Sequence, residues 1–206
     1  MNHTLAAQFG AIDIYLFDQL LKGRIRPGQV IVDAGCGGGR NLVYLLRERF
    51  DVYGVDADEG AISAIRALAA DLAPSLPPDH FRCEALESMT FPDNFADVVI
   101  SSAVLHFARD HRQFDAMLRS CWRVLKPGGL FFARLASTIG MEQQVQPLGG
   151  HRYLLPDGSL RYLVDEGILE RYQQELGATP ADPLKTTVVQ KQRSMTTWVL
   201  WKGQPG

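Results

Sequence analysis

A cluster of glycines follows an apolar run near the start of the sequence. Four of the five residues at positions 35–39 are glycine, between the β-branched run Val30–Val32 and a segment, Leu42–Leu46, with apolar residues at helical spacing. Glycine accepts positive φ angles and lets a ligand approach the main chain closely. The first turn of the following helix directs unpaired N–H groups toward the same place. This stretch predicts a strand, a tight turn and a helix, with an anionic or polar part of a ligand in the turn.

An acidic residue ends the next apolar run. Asp56 follows Val52–Val55, one helix and one strand after the glycine turn. In nucleotide-binding α/β proteins, an acid in this place accepts hydrogen bonds from the ribose hydroxyls. The alternative is that Asp56 or Asp58 caps the next helix, a common role for an acid after a strand. The glycine turn and an acid at this spacing together favour a nucleotide-like ligand.

Two charged residues distinguish between nucleotide ligands. The dinucleotide motif G-x-G-x-x-G needs its third glycine where this chain has Arg40. Asp33 places a carboxylate beside the turn, which suits a ligand with an ammonium group better than a pyrophosphate. The segment Asp33–Gly39 resembles the D/E-x-G-x-G-x-G motif of class I S-adenosylmethionine-dependent methyltransferases. One alternative is an NAD-dependent oxidoreductase, which Arg40 and the lack of a second mononucleotide-binding half disfavour; the other is a non-catalytic protein that binds S-adenosylmethionine.

The resemblance implies S-adenosylmethionine as the cofactor and assigns a role to each matching position. Asp33 would orient the amino group of the methionine portion, and Asp56 would bind the ribose hydroxyls. Glu84 would accept from the adenine amino group, with Glu87 as the alternative acid. The other cofactor-binding residues that the resemblance implies are Gly35, Cys36, Gly37, Gly39, Arg40, Ala57, Ala85, Ser101 and Leu105.

A finer resemblance rests on two shorter stretches. The segment Cys36–Asn41 and the segment Tyr153–Gly158, with the threonine-containing end of the chain, are similar to small bacterial enzymes of a tellurite-resistance-like branch. Such branches share the cofactor site and differ in the acceptor. The expected acceptor is therefore a small molecule whose identity the sequence does not specify.

Three residues are candidates for catalysis or for contact with the acceptor. Methyl transfer is a displacement in which the protein mainly supplies alignment and a dry site. A general base is needed only if the nucleophile must lose a proton, and His106, just after the fourth predicted strand, is the candidate. The alternative for His106 is a helix-capping or core residue. His151 and Tyr153 are candidate acceptor contacts, and Arg134 would favour an anionic acceptor if it points into the site.

The order of elements predicts an α/β fold. Strands alternate with helices from Arg26 onward, which favours a parallel sheet with right-handed crossovers. The last two strands are separated by residues 191–194 alone, too few for a helical crossover, so they are predicted to pair antiparallel. The expected architecture is a Rossmann-like, doubly wound, seven-stranded, mostly parallel sheet with a C-terminal antiparallel hairpin. The predicted strands are 29–34, 51–56, 81–85, 95–101, 130–135, 186–190 and 195–201, and the predicted helices are 40–50, 59–73, 111–125 and 164–176.

The chain is predicted to form a single methyltransferase domain over residues 1–206. Residues 1–25 are predicted to form an N-terminal helical cap. Residues 137–161 hold several glycines and prolines together with aromatic and basic side chains. Long segments of this kind are usually functional or disordered. We expect this segment to have no fixed element, to cover the acceptor site and to become ordered when the acceptor binds.

Composition limits the classes of partner. The net charge is −2 at pH 7, so the chain has no overall basic field for nucleic acid or an anionic membrane. The three cysteines show no metal-ligand spacing and are expected to be buried thiols, so no metal site is predicted. No apolar run approaches the length of a membrane span, and the first ten residues lack the features of a signal peptide. A cytoplasmic location is the expectation, and the oligomeric state is not indicated.

Overall fold

A mixed sheet of eight strands forms the centre of the molecule, in a computed structural model that describes residues 4–203. Its first five strands are β1 Val30–Ala34, β2 Asp51–Asp56, β3 Phe81–Cys83, β4 Ala96–Ser102 and β5 Leu125–Ala136. They lie in the order β3-β2-β1-β4-β5, and every neighbouring pair is parallel. The order reverses between β1 and β4. In open α/β sheets, ligands bind in the crevice at the carboxyl ends of the strands at such a switch point.

The C-terminal strands complete the sheet as the sequence predicts. The strand β10 Lys185–Val189 forms an antiparallel hairpin with β11 Arg193–Lys202, and β11 pairs antiparallel with β5. The eighth strand, β9 Ala178–Pro180, pairs with the far end of β11 and was not predicted. It is too short to show an alternating pattern, and Pro180 allows it only an edge position. Three small strands, β6 Gln146–Gly149, β7 Arg152–Leu154 and β8 Leu160–Tyr162, form a separate antiparallel sheet.

This second sheet, called the small sheet below, shows that the expectation of no fixed element in residues 137–161 is wrong. Most of its glycines and prolines are at the ends of strands or in the connections between them. Gly149, the last residue of β6, and Gly150 adopt positive φ where the chain turns toward β7, and Pro156–Gly158 turn the chain between β7 and β8. The Gly158 N–H donates to the Leu155 carbonyl at 2.9 Å, which closes that turn. Turn residues between short strands were therefore mistaken for a structureless loop.

Six helices accompany the strands: α1 Leu5–Phe9, α2 Ile14–Leu21, α3 Val43–Arg47, α4 Glu59–Leu72, α5 His111–Val124 and α6 Glu166–Glu175. Four of them begin at an aspartate whose side chain accepts a backbone N–H three residues on, as an N-cap does. These caps are Asp13, Asp58, Asp110 and Asp165. The helix α3 is shorter than predicted, because the Leu42 N–H bonds to the Gly39 carbonyl and residues 40–42 still belong to the turn. Within residues 4–203, no helix has the length and apolarity to cross a bilayer.

The core lies on both faces of the main sheet. Successive residues of a strand point to opposite faces, so Val98 and Phe132 pack on one side while Val99 and Phe131 pack on the other. The helices α2, α3 and α4 cover the first side, and α5 and α6 cover the second. Burial on both faces fixes the carboxyl ends of β1–β5 rigidly at one edge, where the loops that follow them meet.

Candidate functional site

A cavity of about 1000 Å³ opens at this edge of the main sheet. Residues at the carboxyl ends of β2, β4 and β5, and in the segments that follow β1 to β4, form most of its wall. The turn of the β10–β11 hairpin lies at the same edge, because β11 runs antiparallel to β5. The residues that line the cavity and were predicted as site residues are Gly35, Cys36, Gly37, Gly39, Arg40, Asp56, Ala57, Ala85 and His106.

The glycine turn forms the floor of the cavity, and its residues Gly35, Gly37 and Gly39 serve two purposes. Gly35 and Gly39 have φ angles of 88° and 83°, and a Cβ at either would lie within 2.3 Å of a neighbouring side chain, Val104 or Ile65. Gly37 also has a positive φ, of 51°, but a Cβ there would meet nothing within 4 Å. Gly35 and Gly39 therefore allow close packing of the turn. Gly37 leaves open space where a ligand can approach the backbone.

Asp56 holds the glycine turn against the start of α4. Its Oδ2 accepts from the Gly37 N–H at 2.9 Å, and its Oδ1 accepts from the Asp58 N–H at 3.0 Å. The N-cap of α4 is Asp58, whose Oδ1 accepts from the Ala61 N–H at 3.0 Å. Of the two acids that the sequence offered as caps, Asp58 is the one used. The carboxylate of Asp56 lines the cavity beside Ala57.

Asp33 lies below the cavity wall and does not line it. The side chain is buried, and neither carboxylate oxygen has a hydrogen-bond partner within the described residues. Burial raises its pKa to about 7, with the positive charge of Arg40 opposing the shift and the negative charge of Asp56 adding to it. Buried polar groups are nearly always paired. An unpaired buried carboxyl beside a glycine turn fits a ligand with an ammonium group close to that turn.

The two remaining residues of the turn differ in exposure. Arg40 is exposed at the cavity, and its Nη2 lies 3.3 Å from the Ser102 Oγ. Cys36 is buried, and burial raises the pKa of its thiol well above the usual range. A neutral buried thiol at this position packs and does not react. The described residues contain no group of three or more metal-ligating side chains.

Besides Asp33, three predicted cofactor residues do not line the cavity. Glu84 is occupied by Thr90, whose N–H and hydroxyl donate to its two carboxylate oxygens at 2.9 and 2.5 Å. Glu87, the alternative acid, does line the cavity and accepts from the Gln113 side chain at 2.8 Å. Ser101 and Leu105 are fully buried behind the wall. Their neighbours Ser102 and Val104 take the lining positions, a distinction that depends on which way each side chain points.

His106 lines the cavity although it is only 6% exposed. Its Nδ1 accepts from the Ala136 N–H at 3.3 Å, so the proton of the neutral imidazole is on Nε2. Burial, and to a smaller extent the positive charges of Arg161 and Arg134, lower the pKa of His106 to about 4. The ring is therefore neutral at pH 7 and is a hydrogen-bond donor rather than an effective base.

His151 and Tyr153 lie outside the cavity. His151 adopts a positive φ between β6 and β7, and its ring is 5.6 Å from that of His111 on α5. Tyr153 packs against the buried cluster that contains Leu155. The small sheet instead presents its other end to the cavity, with side chains from β8 and from the turn before it. These are Leu155, Asp157, Ser159 and Arg161.

Arg134, which the sequence indicates as a contact to an anionic acceptor if it points into the site, is on β5, bonds the buried carboxylate of Asp13 at 2.7 Å and lines the cavity. Other lining residues come from a part of the chain that sequence reasoning did not connect to the site. Val189, Arg193 and Met195 reach the cavity from the β10–β11 hairpin. The antiparallel prediction for this hairpin was the one signal that placed its turn at the carboxyl edge of the sheet.

Comparison with known proteins supports the interpretation of this geometry. Residues 32–133 match the family described as Methyltransferase domain. The chain is 32% identical over 107 residues to an uncharacterized methyltransferase of Synechocystis, and 30% identical over 112 residues to a probable S-adenosylmethionine-dependent methyltransferase of Mycolicibacterium smegmatis. These alignments cover 52% and 54% of this chain, and 47% and 40% of the two relatives. The matched part is thus less than half of each relative's length.

Solved structures share the fold over nearly the whole chain. A protein of Pyrococcus horikoshii superposes with a TM-score of 0.71 at 18% identity, covering 97% of both chains. The 1,6-didemethyltoxoflavin-N1-methyltransferase of Burkholderia thailandensis superposes with a TM-score of 0.71 at 19% identity, covering 95% of this chain and 80% of that one. The solved structures show the shared fold, and the matched domain over residues 32–133 together with the two sequence relatives places the chain among the class I S-adenosylmethionine-dependent methyltransferases.

Proposed function

We propose that the protein transfers a methyl group from S-adenosylmethionine to a small-molecule acceptor. One observation carries the proposal: a single cavity joins a cofactor-like wall to a second, differently built wall. The first wall contains the glycine turn and Asp56. The second contains His106, Arg134 and side chains from the small sheet and the C-terminal hairpin. A two-substrate reaction needs such a shared space.

The cofactor wall fits S-adenosylmethionine in charge and in space. The bound cofactor would supply an electrophilic methyl group on a sulfonium centre. The open backbone at Gly37 and the carboxylate of Asp56 would hold its ribose side, and Glu87 is the acid available for the adenine amino group. The unpaired carboxyl of Asp33 and the guanidinium of Arg40 would face its ammonium and carboxylate groups, respectively.

The acceptor wall supplies alignment and excludes water. The apolar side chains of Leu155 and Met195 line it, and His106 adds an N–H donor from a buried position. Since His106 is neutral and its Nδ1 is already bonded, it would position the acceptor rather than remove a proton. The proposal therefore favours an acceptor whose nucleophile is unprotonated when it binds.

The names of several relatives support a small-molecule acceptor. The chain is 28% identical over 137 residues to a ubiquinone biosynthesis O-methyltransferase and 33% identical over 110 residues to a phosphoethanolamine N-methyltransferase. The overall charge of −2 argues against nucleic acid, and a cytoplasmic location is part of the proposal. Membership of the tellurite-resistance-like branch rests on residues 36–41, on residues 153–158 and on the threonine-containing end of the chain, and methylation of a metalloid oxyanion would test it.

Binding and turnover must be tested separately, because a [4+2]-cyclase has the same fold, with a TM-score of 0.70. Calorimetry should show binding of S-adenosylhomocysteine and none of NAD or NADP. A screen of small thiols, phenols, amines and acids with methyl-labelled cofactor should then give labelled product. NAD binding without S-adenosylhomocysteine binding would overturn the cofactor assignment. Cofactor binding without transfer to any acceptor would favour a non-catalytic role.

A further inference from the structure

The acceptor wall has an excess of positive charge. Within the described residues that line it, the ionisable side chains from β5 onward are Arg134, Asp157, Arg161 and Arg193. Arg134 is neutralised by the buried carboxylate of Asp13, at 2.7 Å. Asp157 is then the one carboxylate that opposes two guanidinium groups.

Arg161 and Arg193 lack the partners that hold other arginines of this protein. Arg161 donates to the carbonyl of its neighbour Leu160 at 2.7 Å, and no carboxylate lies within 4 Å of either guanidinium in residues 4–203. Both are close enough to Asp157 to lower its pKa, after the hydrogen bonds from Ser159, which are the larger cause. The Asp157 Oδ1 already accepts from the Ser159 N–H and hydroxyl. The two guanidinium groups therefore retain hydrogen-bond donors for a ligand.

The same wall presents further donors and an apolar surface. The Arg161 guanidinium lies 4.8 Å from the ring centroid of Phe107, which is 58% exposed. His106 adds its Nε2–H, and Leu155 and Met195 add apolar contact. A cation would meet two unneutralised guanidinium groups here. An anion with a small apolar body would accept hydrogen bonds from the guanidinium groups. Its apolar body is weakly hydrated and would lose little hydration on contact with the wall.

We propose that the methyl acceptor carries a carboxylate or phosphate group, and that Arg161 and Arg193 bind this anionic group across the mouth between the small sheet and the C-terminal hairpin. Arg40, beside the glycine turn, remains available for the carboxylate of the cofactor. The inference rests on the proposed function, since it assigns this wall to the acceptor. It is independent of the cofactor in one respect, because anion binding can be measured with or without S-adenosylhomocysteine.

The test uses benzoate and phenyl phosphate as anionic probes, with benzamide and benzyl alcohol as neutral ones and benzylamine as a cation. Binding to the full chain is measured by NMR titration, with and without S-adenosylhomocysteine. The matched variants are Arg161→Gln, Arg193→Gln and Lys191→Gln. Lys191 is exposed in the same hairpin turn but does not line the cavity, so it controls for loss of one positive charge.

We expect at least one anion to bind about tenfold or more tightly than the neutral probes, and the two arginine variants each to weaken it about tenfold. Lys191→Gln should change the affinity for that anion by less than about twofold, since screening weakens the effect of a distant exposed charge. The preferred anion distinguishes carboxylate from phosphate. Equal affinity for anionic and neutral probes, no saturable anion binding, or an equal loss in Lys191→Gln would overturn the inference. If the wild-type protein does not bind S-adenosylhomocysteine, that result would instead count against the proposed function.

Discussion

At the scale of single residues, three neighbouring acids have different tasks that depend on their partners. Asp56 accepts from two backbone N–H groups and borders the cavity, while Asp58 caps a helix. Asp33 is buried without a partner among the described residues. The residue type is the same in each case. The local backbone decides whether the carboxylate shapes the site, caps the start of a helix or stays without a hydrogen-bond partner.

Substitution of Asp56 tests its role at the ribose. Asp56→Asn keeps one acceptor oxygen but removes the charge and one of the two backbone hydrogen bonds. We expect the affinity for S-adenosylhomocysteine to fall about tenfold to a hundredfold, as for the loss of charge-assisted hydrogen bonds. The melting temperature should fall only slightly. Asp58→Asn is the matched control, since asparagine caps a helix as well as aspartate does. Calorimetry that finds equal affinity in both variants would remove Asp56 from the cofactor site.

Two buried groups give opposite dependences of stability on pH. Burial lowers the pKa of His106 to about 4, so its contribution is complete above about pH 6.5 and is lost as the pH falls toward 4. Burial raises the pKa of Asp33 to about 7, so its contribution is complete below about pH 4 and is lost as the pH rises toward 7. Within this window the two contributions partly offset each other.

Removing one group should therefore expose the other. We expect His106→Gln to gain stability relative to the wild type by about 3 kcal/mol as the pH falls from 6.5 to 4. Asp33→Asn should show the reverse trend between pH 4 and 7. Urea unfolding at a series of pH values measures both. Parallel curves for the wild type and His106→Gln would show that this histidine titrates normally in the folded protein.

At the scale of elements, the small sheet is attached to the N-terminal end of α5 by a few specific contacts. The Tyr162 hydroxyl lies 2.6 Å from the His111 Nδ1, and its ring stacks on Phe114 with centroids 4.5 Å apart. Arg152 donates to the Ala108 carbonyl at 2.9 Å. These contacts hold the β7–β8 turn, and with it Arg161, over the cavity.

Loss of the Tyr162 hydroxyl should loosen this element alone. Tyr162→Phe keeps the stacked ring and leaves the His111 Nδ1 without its partner, at a cost of about 1 kcal/mol. Hydrogen exchange should become faster within residues 146–162 and stay unchanged in β1 and β4. Tyr172→Phe, which removes a hydroxyl bonded to Asp115 on another part of α5, is the control. If residues 146–162 exchange at the same rate in both variants, the Tyr162 hydroxyl does not anchor the small sheet.

At the scale of the whole molecule, Asp13 connects the N-terminal helices to the cavity wall. Its carboxylate caps α2 through Oδ1, which accepts from the Tyr15 N–H at 2.9 Å, and pairs with Arg134 through Oδ2. Its own N–H donates to the Asn41 side chain, next to the glycine turn. The predicted N-terminal cap therefore supports the site through one buried residue and contributes no side chain to the described lining of the cavity.

Removal of this buried carboxylate should have a large effect on folding. Asp13→Ala leaves the Arg134 charge without its partner and the start of α2 without its cap. We expect a loss of about 3–5 kcal/mol in the free energy of unfolding. Asp13→Asn retains the cap and an acceptor for Arg134 and should lose less. Denaturant titration compares the two, and a loss below about 1 kcal/mol in Asp13→Ala would contradict this connecting role.

The sequence determined the features that depend on local pattern. Apolar runs of strand length predict β1, β2, β4 and the terminal hairpin to within about two residues, as expected where the apolar pattern is strong. The glycine turn and Asp56 predicted the proposed cofactor wall, because glycine spacing and strand ends are local properties of the chain. The weak local signals failed, as in the small sheet, where strands of three or four residues show no period.

The tertiary structure decided which side chains share the cavity. Ser102 lines it and Ser101 does not, because the pleat of β4 sends adjacent side chains to opposite faces. Arg161 and Arg193 are more than thirty residues apart in the sequence, and they line one cavity only because β8 and β11 both approach the carboxyl edge of the main sheet. Neither residue belongs to a motif. The sequence alone therefore predicted the residues of the proposed cofactor wall, while the proposed acceptor wall follows from how distant segments pack.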